Sequence, residues 1–206
     1  MSKVLVITAS PRGERSVSRT LTTNFAKLWA QHHPQDTVVL RDIGHHPVPH
    51  VTEPWVVGAF APAEAQTPES KAAIAVSDQL VDEFLSADRY ILGVPMYNLN
   101  VPSTFKAYID QIVRAGKTFA TGPNGYEGLV KNKKALFITS SGGSFPQGSP
   151  MGAYNFQEPY LRAIFGFIGV TDVQFVVADS MNQGEDAAKV SREKADNTLK
   201  ELAGTW

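Results

Sequence analysis

The sequence predicts a doubly wound α/β protein forming one domain over residues 1–206, and three observations carry that reading. Short apolar runs rich in β-branched residues recur at 4–8, 37–41, 90–94, 135–139 and 173–178, continuous rather than alternating, as parallel strands covered on both faces require. Segments of helical spacing separate them, so five strands alternate with five helices. A chain of 206 residues that is 43% hydrophobic can bury its core in one unit.

The first strand, Val4-Leu5-Val6-Ile7-Thr8, follows only Met1-Ser2-Lys3 and is too short for the apolar core of a signal peptide. The first helix carries Leu21, Phe25 and Leu28 on one face. The second carries Ile74, Leu80, Val81, Phe84 and Leu85, and the third Phe105, Tyr108, Ile109 and Ile112. Leu161, Ile164, Phe165 and Ile168 mark the fourth, and residues 187–202 the fifth. Two stretches break the alternation. Residues 44–68 are rich in Pro, His and Ala around Trp55 and Phe60, and residues 116–132 contain Gly122-Pro123-Asn124-Gly125. Connections of that length act as lids or partner contacts.

Charge and composition remove several classes of function. Nineteen Lys and Arg nearly cancel 20 Asp and Glu, which argues against a partner that is nucleic acid or an anionic membrane. No stretch approaches the roughly 20 apolar residues a bilayer span needs. The absence of cysteine removes disulfides, thiolate metal sites and a Cys nucleophile, and fits a reducing compartment, with the cytoplasm as the expectation. His45, His46 and His50 lie among prolines without the helical pairing of a zinc site, so no metal is expected. Gly116-Lys117-Thr118 lacks the upstream glycine of a phosphate-binding P-loop, Gln111 standing in its place, and no G-x-S-x-G elbow exists.

In an open parallel sheet, ligands bind beyond the carboxyl ends of the strands where the strand order reverses. The loop after the first strand, residues 9–18, brings Ser10, Ser16 and Ser18 together with Arg12 and Arg15 at a helix start. Hydroxyls, free N–H groups and cations at a helix N-terminus make a phosphate cradle, and the same serines can equally be plain helix caps. The pattern is not G-x-G-x-x-G, so one phosphate fits better than two. After the third strand, Pro95-Met96-Tyr97-Asn98-Leu99-Asn100-Val101-Pro102 offers a proline-stiffened turn with flat or soft apolar side chains beside an amide, suited to a planar heteroaromatic ring. After the fourth, Ser140-Ser141-Gly142-Gly143-Ser144 lets main-chain N–H groups approach a ligand, though Gly-Gly there is equally an ordinary turn.

Along nearly its whole length the sequence resembles the FMN-dependent NAD(P)H azoreductases and quinone reductases, which have a flavodoxin-like fold. The specific matches are residues 95–102 with Phe105-Lys106 and Tyr108-Ile109-Asp110. Ser10, Ser16 and Ser18, Ser140 with Gly142-Gly143, Glu127-Gly128-Leu129 and Phe165-Gly166-Phe167-Ile168-Gly169 support them. The resemblance implies a flavodoxin-like five-stranded parallel sheet in which Ser10, Ser16, Val17 and Ser18 hold the phosphate of FMN. It implies that Pro95, Met96, Tyr97, Asn98 and Leu99 line the flavin ring and that Ser140, Gly142 and Gly143 close its pyrimidine side. The activity implied is hydride transfer from NADH or NADPH through bound FMN to quinones and azo compounds, with no catalytic protein side chain, in a homodimer whose second subunit helps close each site. Phe119, Tyr126 and Phe145 are then candidates for the substrate pocket. Where some members carry a basic residue and a histidine in the fourth-strand loop, this sequence has Ser141 and Phe145. Stabilisation of the reduced ring then falls to the N–H groups of Gly142 and Gly143. The alternative on the same fold is a flavodoxin-type electron carrier without an organic substrate.

Overall fold

A computed structural model of the chain describes residues 1–123 and 125–206. Its elements in chain order are β1 (Lys3–Thr8), α1 (Val17–His32), β2 (Thr37–Asp42), α2 (Glu53–Phe60), α3 (Pro68–Ser86), β3 (Arg89–Pro95), α4 (Ser103–Ile112), β4 (Phe119–Gly122), β5 (Gly125–Gly128), β6 (Lys134–Ser140), α5 (Gln157–Ile168), β7 (Asp172–Ala178) and α6 (Glu185–Leu202). The main sheet has the order β2-β1-β3-β6-β7 with every pairing parallel. The fold is therefore the flavodoxin-like α/β arrangement.

Two apolar layers sandwich the sheet. On one side Leu80, Val81 and Phe84 of α3, Phe105, Tyr108 and Ile109 of α4, and Leu161 and Phe165 of α5 pack on Leu5, Ile7, Tyr90, Leu92 and Phe137. On the other, Leu21, Phe25 and Trp29 of α1 and Ala195 and Leu199 of α6 pack on Val4, Val6, Ile91, Leu136 and Ile138. The helix starts are chemically marked: the Ser16 hydroxyl accepts from the Arg19 N–H at 3.3 Å, and Thr67 and Ser70 form a reciprocal capping box. Gly93, central in β3, lies against Thr22, so a side chain there would lift α1 off the sheet.

Three features depart from the sequence expectation. Continuous apolar runs do not mean two covered faces at 37–41 and 173–178: β2 and β7 are edge strands, with Leu40 63% and Val177 46% exposed. The stretch 44–68 is not irregular throughout, since Pro54 sits in the first turn of α2, whose start favours a proline lacking the N–H. The stretch 116–132 contains the antiparallel β4–β5 hairpin, whose turn residue Asn124 lies outside the described residues. Among the described residues no helix is long and apolar enough to cross a membrane, and no cluster of His, Asp or Glu could hold a metal ion.

Candidate functional site

The chain runs outward from β1 to β2 on one side of the sheet and returns through β3 to β6 and β7 on the other, so the order reverses between β1 and β3. Connections from the carboxyl ends of these two strands diverge, leaving a crevice. Register puts the ends level: Thr8 pairs with Gly93, Pro95 with Ser140, and Ser140 with Ala178. A cleft of about 210 Å³ opens there, lined by Ser10, Arg12, Ser16 and Val17 from the β1 loop, Pro95, Met96 and Tyr97 from the β3 loop, Ser140, Ser141 and Gly142 from the β6 loop, and Met181 and Asn182 from the β7 loop.

At one end lies the start of α1. Among the described residues, the main-chain N–H groups of Val17 and Ser18 have no protein acceptor, and the helix dipole adds positive potential there. Ser16 is 3% exposed, and Ser18 is fully buried with its hydroxyl 3.5 Å from that of Ser16. Arg19 braces the loop. Its guanidinium donates to Asp42 at 2.7 and 2.9 Å, to the carbonyls of Ser10 at 2.5 Å and Arg12 at 3.1 Å, and to the Thr8 hydroxyl at 3.2 Å. Partial burial pushes the Asp42 carboxyl up, but the bonds from Arg19 and from the His45 N–H outweigh it and hold the group well below the usual carboxylate range.

At the other end, the Tyr97 and Asn100 main chains bond each other at 2.8 and 3.1 Å around Asn98 and Leu99, whose φ angles are 48° and 69°. Positive φ at both central positions makes a tight mirror-image turn, which Asn tolerates and Leu adopts only under strain. The turn is held by Met96 N–H donating to the Ser140 carbonyl at 2.7 Å, by Phe156 N–H donating to the Leu99 carbonyl at 3.1 Å, and by the buried Gln157 amide donating to the Val94 carbonyl at 3.2 Å. At Gly142 an added Cβ would meet the Asn182 side-chain amide at 2.5 Å, so the backbone itself must form the wall.

Of the twelve positions the sequence offered for the cofactor, Ser10, Ser16, Val17, Pro95, Met96, Tyr97, Ser140 and Gly142 line one cleft, with Ser18 directly behind Ser16. Asn98 is exposed at the tip of its turn, and Leu99 and Gly143 sit beside the cleft outside its lining. The three aromatic candidates are not brought together. Phe145 lines an adjoining cavity of about 240 Å³ that shares Met96 and Ser141 with the cleft. Phe119 and Tyr126 lie on the β4–β5 hairpin, packed on Phe167 with ring centroids 4.9 and 5.4 Å away. That hairpin meets Gly169 at the far end of α5, which at 12 residues carries it about 18 Å from the cleft side of the sheet. Met181 and Asn182, in the loop after the last strand, join the cleft without having been expected from the sequence. The polar run Asp179-Ser180-Met181-Asn182 after the last strand was the available signal.

Comparison with known proteins gives the chain's family and relatives. The profile of a family described as having a flavodoxin-like fold matches residues 2–202. A relative in Trichormus variabilis, FMN-dependent NADH:quinone oxidoreductase 2, is 58% identical over the full length of both chains. Azoreductase from Bacillus anthracis str. Sterne superposes with a TM-score of 0.93 at 32% identity and full coverage of both chains. An FMN-dependent NADH-azoreductase from Bacillus anthracis str. Ames Ancestor, solved with FMN, superposes at 0.88 and 25% identity over 98% of this chain and all of its own.

Proposed function

The chain belongs to the family with the flavodoxin-like fold, and on that premise we propose that it is an FMN-dependent NADH:quinone oxidoreductase that also reduces azo compounds. The observation that carries the proposal is the single cleft at the strand-order reversal, with a cradle for one phosphate at one end and a proline-bounded apolar turn at the other.

The residues present fit FMN. The N–H groups of Val17 and Ser18, without an acceptor among the described residues, the Ser10 and Ser16 hydroxyls and the Arg12 guanidinium suit a phosphate monoester dianion. Pro95, Met96 and Tyr97 supply a flat apolar wall for the ring, with Asn98 and Leu99 on the turn that shapes it. Opposite them stand Ser140, whose N–H is taken by the β3–β6 ladder, and Gly142 and Gly143, whose N–H groups have no protein acceptor among the described residues and can donate to the ring's polar edge. When bound there, FMN supplies two-electron chemistry, taking hydride from NADH or NADPH and delivering it to the acceptor. The protein's work is to stack two planar molecules in succession, keep out competing reactions and tune the charge around the ring. No side-chain nucleophile is needed, and a carrier without an organic substrate is not favoured by relatives that are oxidoreductases.

A second copy of the chain completes each site in this reading. Tyr126 is 70% and Phe60 67% exposed, and Val56 and Val57 extend the apolar face of α2, so the hairpin and α2 offer surface for a homodimer contact. An NADH donor and a chain without cysteine support the cytoplasm as its location. The test is to purify the protein, identify the released cofactor by chromatography and follow NADH oxidation with a quinone and an azo compound. FMN with two-stage kinetics in which donor and acceptor alternate is expected. Recovery of FAD, or no oxidation of NADH by the loaded protein, overturns the proposal.

A further inference from the structure

The β6 and β7 loops leave the sheet side by side, because Ser140 pairs in register with Ala178. Three successive N–H groups of the β7 loop grip the β6 loop: Ser180 donates to the Gly143 carbonyl at 3.3 Å, Met181 to Ser141 at 3.1 Å and Asn182 to Gly142 at 2.9 Å. Among the described residues the N–H groups of Gly142 and Gly143 themselves have no acceptor. Asp179 stands at the root of this grip. Its carboxylate accepts the Ser144 hydroxyl of the β6 loop at 2.5 Å, the Ser191 hydroxyl of α6 at 3.0 Å and the Ser180 hydroxyl at 3.3 Å.

All three of these donors are neutral, and among the described residues no Lys, Arg or His forms an ion pair with Asp179. The carboxylate also lines the 240 Å³ cavity that joins the cleft through Met96 and Ser141. The other acid on that cavity, Glu158, is paired with Arg162 at 2.7 Å. One uncompensated negative charge therefore sits beside the end of the cleft assigned to the ring, while Arg12 lies among the residues of the phosphate end.

We propose that Asp179 is the positioning residue of the flavin-facing β6 loop and that its charge keeps the midpoint potential of bound FMN below the value a neutral side chain there would give. The proposal rests on the reading of the cleft as an FMN site and adds to it a tuning element. Electrons added to the ring are disfavoured by a nearby anion, and a unit charge about 10 Å away in a medium of effective dielectric about 20 weights such an equilibrium on the order of tenfold.

The experiment compares wild type, Asp179→Asn, Asp179→Glu and Asp179→Ala as FMN-loaded proteins, measuring the two-electron potential against a reference dye and the dissociation constant of oxidised FMN by fluorescence. Asp179→Asn, which keeps one acceptor oxygen for Ser144 or Ser191 and turns an amide N–H toward the other hydroxyl's oxygen, is expected to hold oxidised FMN within about threefold of wild type. Its potential should rise by about 30 mV, the equivalent of tenfold for two electrons. Asp179→Glu should stay near the wild-type potential, and Asp179→Ala should show the rise together with looser FMN. A rise in Asp179→Asn equivalent to less than about twofold, or about 9 mV, overturns the electrostatic role. Equal loss of FMN and of thermal stability in the Asn and Ala variants overturns the positioning role in favour of a plain fold anchor. Failure of wild type to retain FMN is a separate result, which removes the cofactor reading and this proposal with it.

Discussion

Replacing Arg19 by Met tests how the phosphate end of the cleft is built. The side chain is 15% exposed and its guanidinium makes five hydrogen bonds, two to Asp42, whose own side chain is 19% exposed. Hydrogen bonds to charged groups contribute about 1.5–3 kcal/mol each, and stranding a largely buried charge costs about 3–5 kcal/mol. Asp42 keeps the Gly44 and His45 N–H groups, both at 3.1 Å, so the net loss falls at the lower end, about 3 kcal/mol. In a chain of this size that corresponds to a fall in Tm of about 6–12 °C. The acid limb changes as well. The carboxyl is held below its ordinary value in the folded chain, so its stabilisation is fully present above the unfolded pKa near 4 and is lost as pH falls toward the folded pKa. Urea unfolding of apo-protein between about pH 3 and 7 measures both, and Arg19→Met should flatten the loss of stability below about pH 4. FMN affinity should fall too, since the Ser10 and Arg12 carbonyls lose their brace. A loss under about 1 kcal/mol at neutral pH with an unchanged acid limb would refute the claim that this ion pair organises the loop.

The remaining predictions separate the two ends of the cleft and the core beneath it. Asn98→Ala is expected to cost about 1–3 kcal/mol of FMN binding or a similar rise in the hydride-transfer barrier, whereas Ser16→Ala should weaken FMN retention and remove about 1 kcal/mol of helix capping while leaving turnover at saturating FMN intact. Flavin titration of each apo-variant with steady-state rates checks this, and the reverse pattern would exchange the roles of the two loops. Gly142→Ala should displace the wall at Asn182 and lower FMN affinity at least tenfold, or about 1.4 kcal/mol, with little change in apo-protein Tm. Trp206→Ala should cost about 3–5 kcal/mol by urea unfolding, because that ring is 4% exposed and sits edge-on to Trp29 and Phe25 at 5.5 and 6.2 Å.

Some of this was decided by the amino-acid sequence alone. All five parallel strands and their five long helices follow from local pattern, because short apolar β-branched runs mark strands whether or not both faces are covered and a helix on a sheet must repeat its apolar face every three to four residues. The three loops that supply eight of the cleft residues were legible too, because ligands bind beyond the carboxyl ends of parallel strands, while the role of each of those residues rested on the resemblance to a known family. Tertiary structure decided the rest. Edge position left Leu40 and Val177 in water despite their apolar runs, because what covers a face is set by the sheet's neighbours and not by the strand itself. The aromatic residues of the hairpin went to the far end of α5, since Gly128 can approach Gly169 only where that helix ends. The hold of Asp179 on the Ser144 and Ser191 hydroxyls, and of Arg19 on a carboxylate 23 residues away, joins segments that no local pattern connects. A side chain's rotamer preference and charge are written in the sequence, but its partners exist only once the backbone has brought distant segments within hydrogen-bond reach.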